Sequence, residues 1–201
     1  MRGVDLCAIG DSFVEGRGDT GTDGAFRGWV PRLAGQLGLR STRVRNLGEH
    51  GATTAMVCAD QLARAVAGRP PLVGVIVGVN DLVSDYHPRR FAENLSTIHS
   101  TLNATGATVF TASYPDIPGR LPVPPAFTEL LRDRFARANE VLADVCRDTG
   151  TLLLDIAVES RWDSDAVWSE DGLHPNASGH SLFAQTVAER IAHTRDTDLA
   201  A

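Results

Sequence analysis

The chain has 201 residues, 43% of them hydrophobic, which is enough to bury one substantial core without division into domains. Its formal charge of -6 argues against a nucleic-acid partner, because such affinity rests on clustered cations that neutralise phosphates. All 19 basic residues are arginine, which removes Schiff-base lysine chemistry and the phosphate-loop lysine together.

In chain order, Val4 to Ile9 is an apolar, β-rich run ended by Gly10. Trp29, Leu33 and Leu37 then recur at helical spacing, and Thr42 to Asn46 is a short, weak strand. Thr53 or Thr54 can cap a helix carrying Met56 to Arg64. Leu72 to Val77 is the clearest buried strand. Pro88 suits the first turn of a helix whose apolar face is Phe91, Leu95, Ile98 and Leu102. Thr108 to Thr111 and Leu152 to Ile156 complete five strands, separated by a long helix from Pro125 to Thr149 that Gly150 stops. Ala177 to about His193 is the last helix. Strands alternating with helices imply a parallel sheet with right-handed crossovers, helices on both faces and chemistry at the carboxyl ends of the strands. Residues 1–201 read as a single domain, with about 195–201 a flexible tail.

Met1 to Gly3 run directly into the first core strand, so that strand cannot double as a cleaved signal core, and no apolar run approaches membrane-spanning length. The expected location is cytoplasmic. Cys7, Cys58 and Cys146 are an odd number without CxxC or zinc spacing and read as small buried hydrophobes. No HxH or HExxH pattern occurs, so neither a metal nor a cofactor is expected. Oligomeric state is not encoded in any visible pattern.

Four short segments carry the chemistry: Gly10-Asp11-Ser12-Phe13, Asn46-Leu47-Gly48-Glu49-His50-Gly51, Gly78-Val79-Asn80-Asp81 and Asp171-Gly172-Leu173-His174. Ser12 lies two residues after Gly10 at the end of strand one, where a tight turn that exposes its hydroxyl is expected. A serine attacks a carbonyl only with a base beside it and donors for the developing anion. His174 lies three residues after Asp171, close enough for the carboxylate to hold one ring nitrogen while the other faces Ser12. His50 competes for the role of base, but its neighbour Glu49 points the opposite way in an extended chain. Gly51 offers a backbone amide for the anion and Asn80 a side-chain amide, although Asn80 alone would read equally well as a helix cap or turn former.

These four segments, in order and nearly spanning the chain, resemble the conserved blocks of the SGNH hydrolases, the GDSL lipase/esterase family. The resemblance implies a three-layer αβα fold, flavodoxin-like, with a five-stranded parallel sheet. It also implies roles: Ser12 as nucleophile and amide donor, Gly51 and Asn80 as the other oxyanion donors, His174 as general base and Asp171 as its partner. Phe13 replaces the leucine of the family name. Gly51 is preferred to Gly48 because the family places the donor glycine five residues after the asparagine, here Asn46. The implied substrate is a small-molecule ester, with short acyl groups or acetylated sugars favoured because no long apolar lid segment is present. An acyltransferase with the same residues, or a silent binding module on the same scaffold, are the alternatives.

Gly16-Arg17-Gly18-Asp19-Thr20-Gly21 is a literal GxGxxG, but it starts several residues past strand one and opens no helix, so it reads as part of a mobile loop over residues 16–28. The proline-rich stretch 115–125 reads as a lip beside the site. Trp162 and Trp168 fit either a pocket wall or the core.

Overall fold

The computed structural model describes residues 3–199, with side chains as far as residue 194. Five parallel strands, β1 (Leu6–Gly10), β2 (Val44–Asn46), β3 (Leu72–Ile76), β4 (Thr108–Ala112) and β5 (Leu152–Leu154), form one sheet in the order β2-β1-β3-β4-β5. Every residue of β1 and β3 is buried, as expected for central strands covered on both faces. The edge strand β2 is partly exposed and only three residues long, preceded by a 3-10 turn over Ser41–Arg43. Register aligns Gly10 with Ile76, so the ends of β1 and β3 lie side by side.

Helices follow the strands: α1 (Ser12–Glu15), α2 (Trp29–Gln36), α3 (Thr54–Met56), α4 (Leu62–Ala67), α5 (Val79–Val83), α6 (Pro88–Asn103), α7 (Pro125–Thr149) and α8 (Ala177–Leu199). A π-helical turn, Val57–Gln61, joins α3 to α4. α2 and α8 pack together as one layer, while α4, α6 and α7 form the other. The Trp29 ring on α2 meets Phe110 of β4 and Phe183 of α8 edge-on at 5.8 and 5.2 Å. The apolar stripe of α6 is buried as its spacing requires, and α7 buries Leu131, Phe135, Ala138, Leu142 and Cys146 before Gly150 ends it in the left-handed conformation. This is the three-layer αβα arrangement that the resemblance implies.

Several boundaries differ from the sequence reading. Thr53, not Thr54, is the cap, its hydroxyl accepting from Met56 N–H at 3.3 Å, and the expected helix there is interrupted by the π turn. α8 continues to Leu199 instead of ending near His193. The flexible tail expected at 195–201 falls on residues whose side chains, and for 200–201 whose backbone, lie outside the described residues. The mobile loop expected at 16–28 is instead a pinned hairpin. Thr20 bridges Phe26, and the buried Asp19 carboxylate accepts from Gly28 N–H and from the Arg32 guanidinium at 3.1 and 2.6 Å. Two of the three cysteines are buried as read, which pushes the Cys7 thiol up to about 11 and the Cys146 thiol up to about 12 and makes both inert, whereas Cys58 is only half-buried.

Candidate active site

The Ser12 turn is built by contacts that cross long stretches of sequence. Gly10 adopts φ 144°, and a Cβ there would lie 1.7 Å from the Ile76 carbonyl oxygen, so only glycine lets β1 turn this close to β3. Gln61, in the π turn and 1% exposed, accepts from Gly10 N–H at 2.8 Å and donates back to Gly10 C=O at 2.9 Å. Asp11 caps α1 by accepting from Phe13 N–H at 3.0 Å. Ser12 is thereby the first residue of a helical turn, and its own N–H has no acceptor among the described residues.

The second segment is stitched onto the first. Leu47 and Glu49 N–H donate to Ala8 and Gly10 carbonyls, and Asn46 donates through Nδ2 to Val14 C=O at 2.7 Å while accepting from Gly48 N–H. A Cβ on Gly48 would meet Glu15 N at 2.4 Å, so Gly48 serves close packing against α1. Gly51 has φ 77° with open space around it, and its N–H has no acceptor among the described residues. The two candidate glycines therefore differ physically: one is a spacer, and the other presents a free amide.

Asn80 lies inside α5 and is not its cap; Nδ2 donates to Ala52 C=O at 2.9 Å, next to Gly51. Its neighbour Asp81 accepts from Thr54 N–H at 2.9 Å and from the Thr54 hydroxyl at 2.7 Å. These bonds lock the third segment to the second. At the carboxyl end, the Asp171 carboxylate accepts from Leu173 and His174 N–H, both at 2.9 Å, and from His174 Nδ1 at 2.6 Å. Burial pushes the Asp171 carboxyl up, but the His174 ring bond and the two backbone N–H groups outweigh it and hold it below the usual carboxylate range.

His174 Nε2 stands 2.9 Å from Ser12 Oγ. Because a carboxylate only accepts, Nδ1 carries the proton and Nε2 is the acceptor for the serine hydroxyl. Residues 162 positions apart thus form a continuous Asp–His–Ser row, able to deprotonate a hydroxyl as it attacks an electrophile. His50 is exposed, its ring lies 6.2 Å from that of His174, and among the described residues no carboxylate bonds to it.

Ser12, Asn80 and His174 line one partly open cavity of ≈ 50 Å³, whose other walls are mainly apolar. Asp171 lies behind His174, outside the lining, and Gly51 does not line it either. Pro115 and Ile117 of the proline-rich stretch do, and so do Trp162 and Trp168, which are 1% and 7% exposed. The two tryptophans are wall and core at once. Asp11 also lines the cavity, and burial pushes its carboxyl up to about 7. The sequence reading assigns no site role to Asp11, Gln61, Asp81 or Thr54, the last named only as a possible helix cap, although Asp11 and Asp81 lie inside the quoted segments. Among the described residues no group of three or more His, Cys, Asp or Glu is placed to hold a metal ion, and no helix is long and apolar enough to cross a membrane.

A doubly wound parallel sheet with a hydrogen-bonded Ser, His and Asp at its carboxyl edge defines a hydrolase of the SGNH type. Residues 8–182 match the model of the GDSL-like lipase/acylhydrolase family, and the chain belongs to that family. Its fold is similar to that of Axe2, an acetylxylan esterase from Geobacillus stearothermophilus (TM-score 0.74, 20% identity, 94% of each chain covered). It is likewise similar to LAE5, an alpha/beta hydrolase enzyme from the metagenome of Lake Arreo, Spain (TM-score 0.71, 22% identity, 94% of each chain). A third similar structure is TesA (TM-score 0.71, 23% identity, 93% of this chain and 97% of that one). No curated protein sequence matches the chain.

Proposed function

We propose that this protein is a serine esterase that hydrolyses short-chain carboxylic esters through an acyl-enzyme on Ser12. The observation that carries the reading is the 2.9 Å approach of His174 Nε2 to Ser12 Oγ, with Nδ1 held by Asp171 at 2.6 Å. His174 takes the Ser12 proton as Oγ adds to the ester carbonyl. The resulting tetrahedral anion is held by Ser12 N–H, Gly51 N–H and the Asn80 amide. The C–O bond to the alcohol then breaks, with His174 returning the proton to the leaving oxygen. Water repeats the two steps on the acyl-enzyme, releasing the acid.

The cavity supports a small acyl group. A volume of ≈ 50 Å³ has room for about three or four water-sized groups, comparable with an acetyl or propionyl unit. A small, mainly apolar cavity suits the acyl part, and its open side lets the alcohol leave and water enter. Axe2 is named as an acetylxylan esterase, and acetylated sugars join the assay on that ground. The test is steady-state hydrolysis of nitrophenyl acetate, butyrate and octanoate beside acetylated xylose, by wild type and Ser12→Ala. Acetate is expected to be the best nitrophenyl ester and Ser12→Ala to lose turnover by several orders of magnitude. Full activity in Ser12→Ala contradicts the assignment. Product analysis with an added acceptor alcohol separates hydrolysis from acyl transfer.

A further inference from the structure

Trp162 and Trp168 are the two residues that line both the apolar cavity and a second, polar cleft of ≈ 610 Å³ beside it. The cleft is bordered by charged groups, among them Arg120, Asp163, Asp165 and Glu170. Among the described residues no other lines both, and the indoles form the partition between the two spaces. The partition is rigidly held. The two rings meet edge to face at 5.7 Å, and Trp168 Nε1 donates to Trp162 C=O at 2.9 Å. From the cleft side, the Arg120 guanidinium stacks over Trp168 at 5.1 Å and donates to Trp162 and Asp163 carbonyls and to the Asp165 carboxylate. Asn176 ties the same segment to the amino end of α8 by donating to Ala166 and Trp168 carbonyls, both at 2.9 Å.

Resting on the esterase reading above, we infer that this indole partition, braced by Arg120, sets the upper limit of acyl-chain length by closing the cavity off from the polar cleft. An acyl chain longer than the cavity must displace Trp168, which packs on Arg120 and edge-on against Trp162, or Trp162 itself, whose ring is 6.5 Å from that of Phe13. Removing the partition opens onto a space about twelve times larger by the two volumes above. A chain that crosses it reaches a charged, wet surface. The variants should therefore accept long acyl groups that carry a polar end, such as a dicarboxylic half-ester or an ω-hydroxyacyl ester, better than plain alkyl chains of the same length.

The experiment measures kcat/KM for nitrophenyl acetate, hexanoate and ω-hydroxyhexanoate with wild type, Trp168→Ala and the milder Trp168→Leu. A parallel series follows the rate at which methyl and hexyl fluorophosphonates label Ser12, a readout independent of turnover. Ile156→Ala, which enlarges the cavity lining without touching the cleft, is the comparison. The expected result is a hexanoate-to-acetate ratio raised about a hundredfold in the Trp168 variants, the ω-hydroxy ester gaining most, with the phosphonate series moving in parallel. Ile156→Ala is expected to change the ratio severalfold at most. Folded Trp168 variants with the wild-type ratio, or an Ile156→Ala shift as large as theirs, overturn the inference. If methyl fluorophosphonate fails to label Ser12 in wild type, the esterase reading itself fails, which separates the two outcomes.

Discussion

The chain surrounds its cavity with two regions held together in different ways. Around Ser12 the backbone itself is anchored: Gly10 by Gln61, Phe13 N–H by Asp11, and the Asn46 to Gly51 loop by bonds to Ala8, Gly10 and Val14. Around Trp162 and Trp168 the chain runs through three consecutive 3-10 turns, Ile156–Val158, Ser160–Asp163 and Asp165–Val167, and long side chains from elsewhere do the holding. A reaction centre needs atoms fixed to fractions of an ångström, which short backbone links at strand ends provide. A chain-length limit needs only bulk in the right place, which two large rings on an irregular segment provide. The first region should therefore respond to substitution by losing rate, and the second by changing preference.

The sharpest way to break that contrast is at the proton relay. His174→Ala should lower turnover as severely as Ser12→Ala, by several orders of magnitude, and the double variant should be little worse than either, because the pair acts as a unit. Steady-state kinetics of the three variants check this. Next in size, Asn80→Ala should cost roughly a hundred- to thousandfold in kcat with a small change in KM, the mark of a donor used in the transition state.

A change in stability instead of rate sharpens the comparison further. Burial holds a proton on Asp11 up to about pH 7, whereas the unfolded chain releases it near 3.8. Between those values the native state binds more protons than the unfolded one, so Asp11 makes stability fall as pH rises. His99 and His180, whose burial holds both down to about 4, act in the opposite sense: from pH 4 to 6.5 the unfolded chain takes up protons the native state refuses, and stability rises with pH. Asp11→Asn keeps the oxygen that caps α1 and removes the opposing carboxyl. Relative to wild type it should gain stability from pH 4 to 7, by on the order of 4 kcal/mol across the window. Denaturant melts at several pH values read this directly. The smallest effect belongs to His50→Gln, which should change kcat/KM by no more than a fewfold, since His50 has no carboxylate behind it.

The regions also differed in how far their sequence revealed them. The inner strands and the long helices are legible because burial on both faces leaves unbroken apolar runs and a stopped helix leaves its glycine, as at Gly150, whereas β2 at the exposed edge shows only as a short, weak run. Ser12, Asp171 and His174 were legible because each sits in a short segment whose residues touch one another or lie at a strand end. Gln61 was not, because its partner Gly10 is 51 positions away and a glutamine among alanines carries no periodic signal. Asp19 was lost for a similar reason: a glycine-rich run suggested mobility, while its hydrogen bonds to Gly28 and Arg32 fix the hairpin. The ambiguity of Trp162 and Trp168 between core and wall was genuine, since an indole between two cavities is both. His180 is a related case. It stands six residues beyond His174 and reaches the same amino-terminal turn, donating to Arg17 C=O at 2.8 Å, yet its buried Nδ1 has no partner and it holds structure only.

The most direct measurement is peptide mapping by mass spectrometry after brief exposure of the folded protein to methyl fluorophosphonate. One adduct is expected, on the hydroxyl of Ser12, forming rapidly in wild type and at a greatly reduced rate in His174→Ala. An esterase-active protein that carries the adduct on another residue, or labels Ser12 equally fast without His174, would contradict it.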